Sequence, residues 1–528
     1  MRARKTFAIG ILAATAVLAC AVEACVGDDP AASTTPDGSA GDATPGSDAG
    51  GGDATAGLRI EPSSIDLAPG ASVSIRIRGG TPGATVTLAV ATTEVPKGGT
   101  ASGVSLASSS LILSPTGEGF VEIKAAPDAT QHRFGVTLTG GPSPQTVPGR
   151  VTGKPGALDL FFGDGAGFFD FFDGDTGDTT ASSVVVQPDG KFIVGGTGKA
   201  YQQMLIARFD ADGRLDTTFG SKGYVLIPGA RSPQMALFSD GSLVIAAAAP
   251  NDPKLFRLGA NGAFVPGWGD ATGIDPDLGY GTLDPAFART GDAVLLAGVP
   301  RTGGEDAGVA VKKYLPDAGL DPTFGAGGTA RFSAGPFGAV LGRPFALAVE
   351  PGGEIWATGS YYQSSTKSWV RRLSTSGVPQ TFGPDGTFDG AGTVLVVQDT
   401  KVVGAAYDYG SANDGFSVFR VVGSGLDDTF GAAGKTRLSS QSGSAGTSIA
   451  IDSAKRIYVA NGGVNVTSSF DVHRVSASGA VDATFADSGK FSMEGRAFGL
   501  AVSGNQLLVV GVNHPTDQRR ARIARLWL

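Results

Sequence analysis

Three histidines (His132, His473 and His514) and two cysteines (Cys20 and Cys25) hold all the imidazole and thiol chemistry in 528 residues. No HExxH run or Cys-His ligand spacing occurs, so zinc catalysis is not expected. No GxSxG turn presents an esterase nucleophile. Gly195-Gly196-Thr197-Gly198-Lys199-Ala200 has the look of a phosphate loop, but Ile193 stands where the first glycine is needed and Ala200 where a hydroxyl is needed, so these are turn glycines. The first part of the main body crowds Asp164, Asp170, Asp173, Asp175 and Asp178 into one stretch. Hard oxygens at that density can hold calcium. Their spacing is not that of an EF-hand loop, and solvated loop acids are the alternative. No other cofactor is expected.

The remaining reactive group is Cys20. Arg2, Arg4 and Lys5 precede an apolar run of 13 residues, Phe7 to Ala19, which is too short to span a bilayer and reads as a secretion signal over 1–19. Val17-Leu18-Ala19-Cys20 resembles a bacterial lipobox, which implies cleavage before Cys20 and lipidation of its thiol. Glu23 makes Cys25 a poorer candidate. Ala21, rather than Asp, after the cysteine implies sorting to the outer membrane. Residues 20–57 follow as an acidic Gly/Ala/Ser/Pro/Asp linker, unable to bury enough apolar surface to fold, and are expected to act as a flexible tether.

A set of basic residues, Arg208, Arg257, Lys313, Arg372, Arg420, Arg474 and Arg525, could suggest a polyanion site. Their spacing argues otherwise. Six of them precede an aromatic residue by 10 or 11 positions, and the aromatics Phe162, Phe219, Trp268, Phe324, Phe382, Phe430 and Phe485 recur at intervals of 57, 49, 56, 58, 48 and 55 residues. The period is that of a four-stranded propeller blade. Each copy also carries a turn such as QPDGK or FSDGS between two apolar runs, which marks a hairpin. The run after the turn (FIVGG, LVIAA, VLLAG) loses polar alternation and is expected to be buried on both faces. Distributed once per copy, the basic residues are expected to bond an acid of the following motif, Arg208 to Asp216, Arg420 to Asp427 and Arg474 to Asp482. The aromatics are expected to plug the space between copies. The last copy ends in the apolar Arg522–Leu528 without a polar cap, so the array is expected to close onto its first copy.

Upstream, residues 58–141 alternate apolar and polar positions in short runs, the pattern of an antiparallel sandwich. The segment PSSIDLAPGASVSI and the last run HRFGVTLTG resemble a bacterial Ig-like domain. Residues 142–156 read as a connector. Over 157–528 the LDxTFGxxG motif, its PDGK turn and its strand-borne Arg resemble the delta-60 repeat of bacterial exported proteins, including those of myxobacteria. That resemblance implies a propeller without implying an activity.

The expected architecture is therefore all-β: a disordered tether, a small Ig-like sandwich and a seven-bladed propeller. Net charge is −8 without basic runs, so no nucleic-acid partner is expected. With no catalytic constellation to point to, the chain is read as not an enzyme. It is read instead as an exported, lipid-anchored scaffold of the cell envelope, expected to touch the membrane through its lipid and to present the propeller to a protein or glycan. A hydrolase or lyase with its site at the channel mouth, and a purely structural envelope component, are the alternatives.

Overall fold

The computed structural model describes residues 57–528 apart from 173, 175–177, 199–201, 250–252, 279–285, 301–307, 334–339, 363–365, 381–386, 389–390, 409–414, 424, 440–445, 463–468 and 514–518. Cys20, Asp173, Asp175, Phe382 and His514 lie outside the described residues. The described structure is all-β apart from two short 3-10 turns. None of its helices is long and apolar enough to cross a membrane.

Period-two alternation in Ser72–Arg78 and Gly119–Ala125 puts Ile75, Ile77, Val121 and Ile123 on one face. Those strands form a sheet with Arg59–Glu61 and Val104–Leu106. A second sheet, of Ile65–Leu67, Gln145–Val151, His132–Thr139, Thr85–Glu94 and Ser110–Ile112, supplies Leu67, Leu88, Phe134, Val136 and Leu138 to the same core. The result is a two-sheet sandwich. Its last strand corrects the sequence reading, because Gln145–Val151 belongs to the segment assigned as connector. It pairs antiparallel with His132–Thr139 and parallel with Ile65–Leu67. Pro148 and Gly149 hide its alternation. Pro148 points outward, while Gly149 makes room for the Phe134 ring, which would lie 2.3 Å from a Cβ there.

Seven further sheets follow among the described residues. In the first to be complete in sequence, Thr180–Val186, Phe192–Gly198, Gln203–Phe209 and Tyr224–Pro228 run as consecutive antiparallel neighbours. The turn Gln187–Lys191 joins the first two strands, and the LDTTFG motif connects the third to the fourth. The smooth apolar run is the second strand, buried along its whole length. First strands of successive sheets touch in a circle: Thr180–Val186, Arg231–Leu237, Ala286–Thr290, Val340–Val349, Ala391–Gln398, Gly446–Ile451, Arg496–Ser503, and back to Thr180–Val186. Most of them shift register near their start, as at Ala181/Ser183, Gly446/Ser448 and Ala497/Gly499, and such bulges increase local twist. Twisted sheets in radial order around their first strands make this a β-propeller.

The two ends of the ring meet in one sheet. Phe168–Phe171 pairs antiparallel with Ala521–Trp527, which continues into Gln506–Val512 and Arg496–Ser503. The final apolar strand thus gains an edge partner, supplied by the residues just after Phe162.

Candidate functional site

The repeated polar residues come first, because their geometry decides whether they are available to a ligand. In the copy around Arg420, the motif acid Asp427 accepts from Thr429 N through Oδ1 and from Arg420 Nε (2.9 Å) and Lys401 Nζ (2.7 Å) through Oδ2. Bonds from Lys401 and Thr429 hold its carboxyl well below the ordinary carboxylate range. The same acid, threonine and base recur as Asp216, Thr218 and Arg208, as Asp321, Thr323 and Lys313, and as Asp482, Thr484 and Arg474. The bond from Thr323 leads the causes that lower Asp321 to about 2. Thr in LDxTF is therefore the donor that completes the turn around its Asp.

Among the described residues, six of the seven basic side chains also lie over their own repeat aromatic. Guanidinium-to-ring distances are 4.9 Å for Arg208 on Phe219, 5.9 Å for Arg257 on Trp268, 4.7 Å for Arg420 on Phe430, 4.8 Å for Arg474 on Phe485 and 4.5 Å for Arg525 on Phe162. Lys313 Nζ is 6.0 Å from the Phe324 centroid, and Arg372 stacks on Trp356 at 5.3 Å. Cation–π contact was absent from the sequence reading, although the constant spacing of base and aromatic carried the signal. The arginines then reach into the next sheet: Arg257 Nη1 donates to Pro316 O (2.7 Å), Arg420 Nη1 to Ala477 O (2.7 Å), and Arg208 to Ala260 O.

Two copies lack the motif acid. Val265 and Pro379 replace it, and the base turns to the hairpin before it. Arg257 donates to Asp240 (2.7 Å) and Ser242 (2.9 Å), and Arg372 to Glu350 (2.8 Å) and Glu354. A carboxylate moved to another turn keeps each base paired. These side chains are committed to holding the ring together.

The acidic stretch is dispersed in the same way. Asp170 receives Arg522 through Nε (2.7 Å) and Nη2 (2.8 Å), together with Asn513 Nδ2 (2.8 Å). Asp178 accepts the Arg519 amide, and Asp164 sits in a 3-10 turn with φ 56°. Among the described residues no three His, Cys, Asp or Glu side chains converge on a metal position.

One copy breaks the shared pattern with groups that remain unused. Aligned on its base, Ser469–Val475 places Asp471 and His473 where the other copies carry Leu205 and Ala207, Lys254 and Phe256, Ala310 and Lys312, Trp369 and Arg371, Ser417 and Phe419, or Arg522 and Ala524. Two apart on a strand, they share a face. That face meets the neighbouring sheet, where Phe416 presents its ring edge-on to His473 at 5.4 Å. Both residues are more than nine-tenths buried, and Asp471 Oδ1 and His473 Nε2 have no hydrogen-bond partner among the described residues. They adjoin a cavity of about 290 Å³ on the outer flank of the ring, bordered by Leu438, Val481, Ser488 and Lys490. Lys490 Nζ stands 3.6 Å from Asp471 Oδ2. Burial pushes His473 down to about 4, so its imidazole is neutral at pH 7. Sequence reading passed over this pair; comparing the seven third strands position by position would have shown it.

A family model described as a domain of unknown function (DUF5122) beta-propeller matches residues 187–219, the span from the hairpin turn to the motif Phe. No curated protein matches the chain. Among solved structures, a protein of unknown function from Dyadobacter fermentans is 13% identical, with 68% of this chain and 98% of that one covered at a TM-score of 0.38. A quinoprotein alcohol dehydrogenase-like protein from Bacteroides thetaiotaomicron is 9% identical over 83% of this chain and 98% of that one, TM-score 0.35. The β-propeller domain of the Trilobed protease from Pyrococcus furiosus is 9% identical over 66% of this chain and 95% of that one, TM-score 0.34.

Proposed function

We propose that the chain is an exported, lipid-anchored cell-envelope protein whose β-propeller is a rigid scaffold for binding a protein or glycan. In this reading the propeller has seven blades of the delta-60 type, the sandwich is an Ig-like spacer, and the acidic segment 20–57 is the tether to a lipid on Cys20. The observation that carries it is the fastening of sandwich to ring. Gln131 of the sandwich donates through Nε2 to Leu158 O (2.8 Å) and accepts through Oε1 from Leu160 N (2.9 Å) and Trp527 Nε1 (3.1 Å). Arg150 stacks on Trp527 at 5.0 Å. A sandwich fastened to the ring, and joined through the acidic segment to a lipid, suits display of a surface at a distance from a membrane. The commitment of the repeated bases and acids to inter-sheet bonds is the second support, since it leaves the repeat motif a structural task.

Two measurements test the reading. Metabolic labelling with a fatty acid, in a bacterium that processes lipoproteins, is expected to mark the wild-type chain and to miss Cys20→Ser; label kept on Cys20→Ser overturns the anchor. The full chain, immobilised and challenged with solubilised envelope polysaccharides and envelope proteins, is expected to retain at least one of them. Retention of neither overturns the scaffold.

A further inference from the structure

We infer that the end of the sandwich where the chain enters it is a contact surface for a phospholipid bilayer. This rests on the anchor reading and deepens it, because it sets which part of the protein meets the membrane. Ile112 (70% exposed) and Phe120 (64%) are the two most exposed large apolar side chains among the described residues. They flank one hairpin, closed by the bond from Ser114 N to Glu118 O (2.8 Å). Gly117 O in that turn accepts from Gly80 N, and a Cβ at Gly80 would lie 2.8 Å from Leu58 Cδ1. Leu58 also borders Gly141. Three loops, 79–84, 114–117 and 140–144, therefore gather beside the residue at which the sandwich begins, and none of them carries a charge. Loops of Gly, Pro, Ser, Thr and Ala approach lipid without desolvating an ion.

Cations rim one side of this end. Arg59 and Arg78 are register partners on adjacent strands, and Arg76 continues the row beside Phe120, its guanidinium 5.9 Å from the ring. Glu61 answers Arg78 and Glu118 answers Arg76 (2.7 Å), while Arg59 is exposed with no carboxylate partner among the described residues. Like charges directly opposite on a strand pair are unfavourable, so Arg59 and Arg78 gain from a further anion. Lipid phosphates supply one at the depth where a Phe and an Ile enter the acyl boundary. The distances agree. His132–Thr139 runs from the ring-bound Gln131 to the loop 140–144 at about 3.4 Å per residue, so the ring contacts lie about 25 Å from these loops. Residues 20–57, as a flexible tether, have a root-mean-square span of roughly 35 Å, which keeps this end within reach of the bilayer and makes a weak contact effective. The ring is then held on the far side of the sandwich from the lipid.

The test couples the full chain, carrying Cys25→Ser, through the Cys20 thiol to maleimide lipid in vesicles of phosphatidylethanolamine and phosphatidylglycerol. Coupling fixes the chain to the bilayer whether or not a cell lipidates it. Trp268, Trp356, Trp369 and Trp527 are buried, so an added tryptophan reports its own position. Fluorescence of Phe120→Trp is expected to be quenched when the acyl chains are brominated, whereas Val378→Trp, at a 59% exposed position of the ring, is expected to keep its emission. Ile112→Asp added to Phe120→Trp is expected to restore most of the lost emission, with an unchanged thermal midpoint reporting an intact fold. Phe120→Trp left unquenched, or quenched no more than Val378→Trp, overturns the contact. So does an emission shift of Phe120→Trp that grows with protein concentration in the absence of vesicles, which assigns the patch to a second copy of the chain. The anchor reading is judged separately, by the fatty-acid labelling of Cys20→Ser.

Discussion

Arg525 Nε donates to Asp159 Oδ2 at 2.9 Å across 366 residues of sequence, and Arg525 Nη1 donates to Ala211 O in the next sheet of the ring. The first bond repeats the base-to-motif-acid pair of the other copies, and the second repeats the reach of Arg208 to Ala260. The join between the chain's two ends is therefore built like the joins between successive sheets. Gln506 adds a second donor to Asp159 at 2.6 Å.

Arg525→Ala leaves Asp159, 1% exposed, with a buried charge and two neutral donors, the Phe161 amide and Gln506. Breaking a buried pair from one side costs about 3–5 kcal/mol. The thermal midpoint is expected to fall well below that of Arg214→Ala, whose side chain is 69% exposed and whose loss should cost less than about 0.5 kcal/mol. Equal midpoints for the two variants would show that the closing pair adds nothing.

The relocated acids make a sharper comparison. Glu350 accepts from both Arg372 and Trp356 Nε1 (2.6 Å) and is 5% exposed. Glu350→Ala is expected to destabilise by about 2–4 kcal/mol in chemical denaturation. In a copy that keeps its motif acid, the turn residue Asp189 accepts, among the described residues, the Lys191 amide, and Asp189→Ala should cost well under 1 kcal/mol. Similar losses from both would mean that the turn acid is needed in its own right, independent of the missing Asp at Pro379.

His473 predicts an acid-side loss of stability. The groups facing it are Asp471, which favours its protonation, and Lys490, which opposes it; burial outweighs both and sets the folded value near 4 against 6.5 for the free side chain. Between those values the unfolded chain binds a proton that the folded chain does not. Stability is thus full above about pH 6.5 and falls toward pH 4, by about 3 kcal/mol in all. Carboxylates depressed in the fold, such as Asp216, Asp321 and Asp427, keep their contribution down to their unfolded value of 3.8 and lose it only below that. Urea midpoints at pH 7 and pH 4.5 should therefore differ in the wild type and differ less in His473→Phe. An unchanged pH dependence in that variant would assign the slope elsewhere.

Gln131 predicts how the two parts unfold. With three bonds to Leu158, Leu160 and Trp527, it couples the sandwich to the sheet that closes the ring. Calorimetry of the wild type is expected to show sandwich and ring melting together. Gln131→Ala should separate the endotherms or lower the first of them. A single, unshifted transition would place the coupling in other contacts, such as Arg150 on Trp527.

Much of this architecture was legible along the chain because it is local. Turn glycines and aspartates fix hairpins over a few residues, apolar runs such as Phe192–Gly198 declare burial on both faces, and the spacing between base and aromatic repeats with the sheets. The strand at Gln145–Val151 was hidden because Pro148 and Gly149 erase its alternation, and its pairing with Ile65–Leu67 is a contact across some 84 residues.

What the amino-acid order settles by itself is the unit: four short strands, a hairpin turn, and a base, an acid and an aromatic at fixed spacing. Tertiary structure alone decided which carboxylate each base would meet when its own is missing, which strand closes the ring, and that Asp471 and His473 face a cavity with atoms left over. The physical reason is range. Backbone propensity and side-chain spacing act within a strand or turn, whereas a charge or a hydrogen-bond donor is satisfied by whatever the folded chain brings within about 3 Å, however far away it lies in sequence.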